Sequence, residues 1–268
     1  MKKSRDPGRG SLDLLEEAVH LLRQAPFQVL FLYFIGAFPL ILGFLYFLAD
    51  MSRGPFAHRH VAESAFGLAL LYIWMKCWQS VFCGRLLSHL LGQSPQKYSL
   101  SRIWSLVSTQ TIFQPLSLFL LPLAFLILLP FGWMFAFFQN LLIQGCGNDP
   151  EPGRVIRTSW RLATLWPGQN HRLLLVVGMF GFIVFINIAV LMILIPMLLR
   201  MLFGIETMFT LSGIHILNTT FLAVALAFTY LCIDPLFAVV YTLRCFYGEA
   251  IETGADLISD LKNLPKAS

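Results

Sequence analysis

Charge is what this sequence has least of. Asp, Glu, Lys and Arg make up 12% of its 268 residues against 57% hydrophobic, where a soluble domain is about 25% charged. So few ionised groups cannot coat a water-facing surface, which excludes a soluble catalytic domain. Cysteine is also sparse. Cys77, Cys83, Cys146, Cys232 and Cys245 fall in or beside apolar segments without CxxC spacing, so they read as reduced, buried small hydrophobes. No GxSxG, HExxH, P-loop or dinucleotide fingerprint occurs. A basic stripe is missing too. The 19 Lys and Arg that give a formal charge of +5 are scattered over short hydrophilic segments, which argues against nucleic acid as a partner.

What is there is apolar sequence in long runs, with 25 Phe and a mean hydropathy of +0.72. The excess is linear rather than periodic, so its natural solvent is lipid. The chain reads as an all-α, polytopic helical membrane protein and a single integral membrane domain. A hydrocarbon core about 30 Å thick takes roughly 20 residues of helix, and residues 27–49 supply this without a charge. That run is too long for a signal-peptide core and follows a charged helix, so it is expected to remain as a span. Beyond a polar loop at 50–60, spans are expected at 62–91, 172–199 and 213–243.

The middle of the chain is ambiguous, because 115–145 is too long for one straight crossing and short for two. Charge favours two. A turn at Pro130-Phe131-Gly132 gives spans at 112–129 and 131–147 and about six crossings in three hairpins. It gathers the basic segments around 2–23, 85–102, 154–172 and the 248–268 tail on one side. The expected location is the bacterial cytoplasmic (inner) membrane, multi-pass, with both termini cytoplasmic.

Each span pair follows a two-faced helix expected to lie in the interface, at 11–25, 99–113 and 154–166. In the first, Ser11 is the expected N-cap, and Leu12, Leu15, Val19 and Leu22 oppose Asp13, Glu16, Glu17, His20, Arg23 and Gln24. In the third, Arg154, Arg157 and Arg161 oppose Val155, Ile156, Trp160 and Ala163. Those arginines form a candidate face for lipid headgroups or for a protein partner, with plain anchoring as the bland alternative. The second helix is expected to stop before Pro115.

Two ionisable residues lie inside spans, Lys76 in WMKCWQ and Asp234 in CIDPLF. Each is nine or ten residues from an arginine that marks the cytoplasmic edge, Arg85 and Arg244, so their depths match. An intramembrane charge costs about 2.5–3.5 kcal/mol and generally faces a partner or a wet cavity. The pair reads either as a packing ion pair or as a polar transport site beside the helix break at Pro235, with Pro122, Pro130 and Pro196 as further candidate breaks. Gln139, Asn140 and Asn187 read as hydrogen-bonding glue between helices, and Gly36, Gly43, Gly178 and Gly181 as points of close packing. His58-Arg59-His60 with Asp50 and Glu63 reads as a solvated loop rather than a metal site, since Arg59 repels a cation. No metal and no cofactor are expected.

LDLLEEAVHLLRQAP near the start and WRLATLWPGQNH before the fifth span, with this order of surface helix and span hairpin, resemble a group of bacterial six-span membrane proteins. These are similar to the membrane domain attached to some glycerophosphodiester phosphodiesterases. The resemblance does not include the phosphodiesterase barrel, so no catalytic residue is carried over. The expected function is a non-enzymatic scaffold or assembly component whose partners are the bilayer and a cytoplasmic or membrane protein. The alternatives are a small permease using Lys76 and Asp234, and a lipid-active membrane enzyme.

Overall fold

The computed structural model describes residues 10–93, 99–127, 131–146, 151–206 and 218–254. Among these there is no strand. The described residues form eight helices: α1 (Ser11–Gln24), α2 (Phe27–Arg53), α3 (Ala57–Leu90), α4 (Leu100–Ile127), α5 (Phe131–Gln144), α6 (Pro152–Leu165), α7 (Pro167–Phe203) and α8 (Thr219–Thr253). Helix is the answer that apolar solvent imposes, because backbone N–H and C=O groups find no water there and bond within their own segment. Pro39, Pro115, Pro122, Pro196 and Pro235 all lie inside continuous helices. The chain is a polytopic helical membrane protein.

Among the described residues five helices, α2, α3, α4, α7 and α8, are long and apolar enough to cross a membrane. α5 is not a sixth. Its 14 residues extend about 21 Å, short of a hydrocarbon core of about 30 Å. The expected stop before Pro115 does not occur either, and the 99–113 segment and the 112–129 span are one helix. A polar loop at 50–60 is likewise replaced by helix up to Arg53 and from Ala57.

Two compact units divide the chain, and α2, α3, α7 and α8 each contribute to both. The first takes residues 1–36, 72–174 and 236–268, the second 37–71 and 175–235. In the second unit, Gly43 meets the Leu71 side chain and Gly181 faces Ile233. The guanidinium of Arg53 donates to Thr220 Oγ1 at 3.0 Å, and Asn218 Oδ1 caps the backbone N–H of Phe221 at 2.9 Å. His60 Nε2 sits 2.6 Å from Asp50 Oδ2, tying the start of α3 to the end of α2. Beyond Val177 the apolar side chains of α7 are exposed or half-buried. None of its most hydrophobic window is buried, against 44% for α8, so α7 is a lipid-facing helix.

The first unit packs more tightly. Tyr33 and Phe82 meet edge to face at 5.6 Å, and at Gly36 α2 comes so close to α3 that an added Cβ would lie 2.6 Å from Trp78 Cβ and 3.2 Å from the Met75 carbonyl. α4 and α5 form an antiparallel hairpin. The Gln114 amide reaches the Phe138 carbonyl at 3.5 Å and Phe125 packs on Phe131. Of the expected turn at Pro130-Phe131-Gly132, Pro130 lies with Leu128 and Leu129 outside the described residues, while Phe131 and Gly132 open α5. The Gly132 carbonyl accepts from Asn170 Nδ2 at 2.6 Å, so α5 begins beside the start of α7. The sequence reading put Gly132 across the membrane from Arg172. In the fold they are neighbours, because the Asn170 amide bonds to the first turn of α5. A thiol reagent that cannot cross membranes checks this in the intact chain. Phe131→Cys is expected to label from the same side as His171→Cys and from the side opposite Asn218→Cys; labelling of Phe131→Cys alongside Asn218→Cys would restore the full crossing.

α1 and α6 share a frame that no residue pattern announced. Each has 14 residues, each is followed by one non-helical residue and a proline, and each leads into a long helix. Their buried residues Leu14, Ala18 and Leu21 correspond to Val155, Ser159 and Leu162. All three pairs, and Pro26 with Pro167, are 141 residues apart. A small residue at the centre of each stripe lets the helix lie close to what it covers. The face expected to be apolar in α1 turns out to be a flank, with Leu12 and Val19 exposed. Hydrophobic periodicity found one apolar arc, while the fold splits it between protein and surroundings. The first helical residue is Ser11 itself and Gly10 is the N-cap, because the Ser11 hydroxyl is turned to the Gln169 carbonyl at 3.5 Å.

Candidate functional site

The polar residues of the first unit converge on one side chain, Arg244 of α8, which is 4% exposed. Its Nη1 donates to Asn170 Oδ1 at 2.6 Å, its Nε to Gln169 Oε1 at 3.1 Å and its Nη2 to the Trp166 carbonyl at 3.5 Å. The guanidinium also lies 5.4 Å from the centre of the Tyr241 ring. All these partners are neutral. A planar fork of donors suits amide and carbonyl oxygens displayed at fixed angles, which an ammonium group would not match. The acceptors are presented by the α6–α7 elbow, where Pro167 starts a helix without wasting an N–H. That elbow places Trp166, Gln169 and Asn170 within one turn of each other.

Asn170 is the hub. It is fully buried, accepts from the Tyr241 hydroxyl at 2.6 Å as well as from Arg244, and donates to Gly132. One turn further along α8, Cys245 Sγ donates to Asn140 Oδ1 at 3.2 Å, and Asn140 Nδ2 donates to the Ser159 carbonyl at 3.2 Å. Beyond that, Gln144 donates to Glu249 and the Tyr247 hydroxyl donates to Glu17 Oε1 at 2.5 Å. One helix face, Tyr241 to Glu249, thus holds α1, α5, α6 and the start of α7. This network fixes surface helices in place, and its hydrogen bonds are already satisfied by the protein itself.

The residues singled out from sequence are placed as follows. Lys76 is in the first unit, donating to Gln79 Oε1 at 3.0 Å and lying 5.6 Å from the Tyr72 ring centre. Tyr72 in turn meets Ser117 Oγ at 2.8 Å, and Ser80 donates to the Leu142 carbonyl at 2.6 Å. Together these make a polar seam along α3, α4 and α5. Asp234 is in the second unit, on α8 beside Pro235. Arg154, Arg157 and Arg161 are exposed on one face of α6. Asn140 does join helices as expected, whereas Asn187 bonds back to the Ile183 carbonyl of its own helix at 2.8 Å. Cys83, Cys146 and Cys245 are buried and all five cysteines are free, but Cys232 is exposed. His58 and His60 belong to α3 rather than to a loop, and no metal-holding group of three or more His, Cys, Asp or Glu occurs among the described residues.

Gln169, Asn170, Tyr241 and Arg244 were not anticipated. Arg244 at the edge of a span reads as a topology marker. The signal that could have found the site is the pair of adjacent amides right after Pro167, too polar for the entrance of a span unless something buried receives them. No family model, curated protein or solved structure matches the chain.

Proposed function

We propose that this chain is a non-enzymatic scaffold of the bacterial cytoplasmic membrane, which presents α1 on the cytoplasmic side for the assembly of a membrane complex. The observation that carries this reading is the closed network along Tyr241–Glu249. It commits a buried arginine and several buried amides to holding two surface helices at fixed positions, which is the requirement for a docking platform. α1 offers its partner an open groove of about 750 Å³ lined by Leu12, Asp13, Glu16, Val19 and His20 among others. The resemblance to membrane domains that accompany a separate enzyme supports a companion role. The polar seam at Lys76 supports the permease as a second reading.

Native separation after mild extraction distinguishes them. The wild-type chain is expected to migrate in an assembly well above its own 30.3 kDa. Tyr247→Phe, which removes the hydrogen bond from α8 to Glu17 of α1, is expected to insert normally and lose that assembly severalfold. Migration as a lone chain, together with solute flux in liposomes abolished by Lys76→Met or Asp234→Asn, would overturn the scaffold and establish the permease.

A further inference from the structure

We infer that α6 is a binding face for anionic phospholipid headgroups, and that α1, built on the same frame, is its charge-inverted counterpart. At the shared spacing of 141 residues, Asp13, Glu16 and His20 of α1 stand where Arg154, Arg157 and Arg161 stand in α6. All six residues are exposed. The frame is constant while two of the three basic positions of α6 are acidic in α1 and the third is histidine, so the frame itself does not call for arginine.

Three features assign these arginines to a membrane surface. Only Trp166 separates α6 from α7, whose most apolar window is wholly unburied, so α6 is tethered at the mouth of a lipid-facing helix. Between the buried stripe and the basic face runs an exposed apolar flank, Ile156 at 38% and Trp160 at 47%. At 100° per residue, that flank lies about 100–140° round from Val155 and the arginines about 200–260°. A helix lying in the headgroup layer has this plan, with its aromatic flank in the acyl boundary and its cations among phosphates. Guanidinium groups bind phosphate oxygens in a fork, with a geometry that lysine lacks.

The test uses the full-length chain in nanodiscs of phosphatidylcholine with a rising fraction of phosphatidylglycerol, counting the lipids retained per protein by native mass spectrometry. A cation at an anionic surface gives on the order of fivefold preference each. The wild type is therefore expected to retain phosphatidylglycerol at least fivefold over phosphatidylcholine, with the preference fading at high salt. Arg154→Gln/Arg157→Gln/Arg161→Gln brings it to near parity. Asp13→Arg/Glu16→Arg/His20→Arg, which writes the α6 charges onto α1, raises it above wild type. Thermal unfolding in pure phosphatidylcholine shows that the variants are folded. An unchanged lipid preference in the triple glutamine variant overturns the inference. So does arginine-dependent binding of a polyglutamate peptide with lipid retention unaffected, which would make the face a protein-docking surface.

Discussion

Asn170→Leu is expected to destabilise the protein more than Arg244→Met, although Asn170 carries no charge. Removing the arginine deletes its hydrogen bonds but also the desolvation cost of a buried cation, and the two partly offset. The net loss is about 2 kcal/mol. Removing the amide leaves that cation in place without its 2.6 Å acceptor, and it strands the Tyr241 hydroxyl and breaks the bond to the Gly132 carbonyl as well. A buried charge deprived of a partner costs about 3–5 kcal/mol. In detergent, thermal unfolding of Asn170→Leu is expected to fall by on the order of 10 °C, and of Arg244→Met by about half that. The double variant Asn170→Leu/Arg244→Met should be more stable than Asn170→Leu alone, because the uncompensated charge goes with the arginine. A double variant no better than the Asn170→Leu single would mean that the guanidinium does not depend on this amide.

Gly36→Leu is expected to have the next largest effect, and Gly248→Ala almost none, although a Cβ is crowded at both positions. At Gly36 the neighbours are Trp78 Cβ and the backbone of Met75, which cannot rotate aside. α2 must move off α3, and the Trp74 indole loses its bond to the Ile35 carbonyl, now 3.2 Å. Overpacking of this kind costs about 1–3 kcal/mol, against which glycine replacement in a helix returns at most about 1 kcal/mol. For leucine the net loss is about 2 kcal/mol, and the variant is expected to unfold roughly 5 °C below wild type. At Gly248 the obstacle is a terminal methyl of Leu162, the free end of a flexible side chain, so the helix-propensity gain survives. Equal stability of the two variants would show that α2 and α3 do not depend on contact at Gly36.

The spans were legible because apolar solvent leaves a linear mark: 27–49 and 172–199 are unbroken runs, and the helices run through both. The central hairpin was legible from charge bias, but its depth was not, because charge bias counts sides and says nothing of depth. The bias favoured a turn near Pro130, but only the Asn170–Gly132 bond reveals where the first turn of α5 lies. At α1 the period of 3.6 located an apolar arc over Leu12, Leu15, Val19 and Leu22, yet Leu14, Ala18 and Leu21 took the protein side. Periodicity reports which residues avoid water and cannot separate lipid from protein as their refuge. Of the site, Lys76 and Asp234 stood out because a charge in a span is rare. Arg244, Asn170 and Gln169 did not, because flanking polar residues are ordinary until a fold buries them. The relation between α1 and α6 was hidden for a different reason. Burial repeats where the side chains themselves do not, Ala18 against Ser159 and Glu16 against Arg157.

Synthesis from N to C terminus gives the Arg244 network a direction in time. Ser11, Gly132, Trp166, Gln169 and Asn170 all leave the ribosome before the face of α8 that holds them. Until residues 241–249 emerge, the α6–α7 elbow displays the side-chain oxygens of Gln169 and Asn170 without the guanidinium that they receive in the folded chain. The elbow is thus completed last, from the C-terminal side, when Arg244 arrives and closes the network.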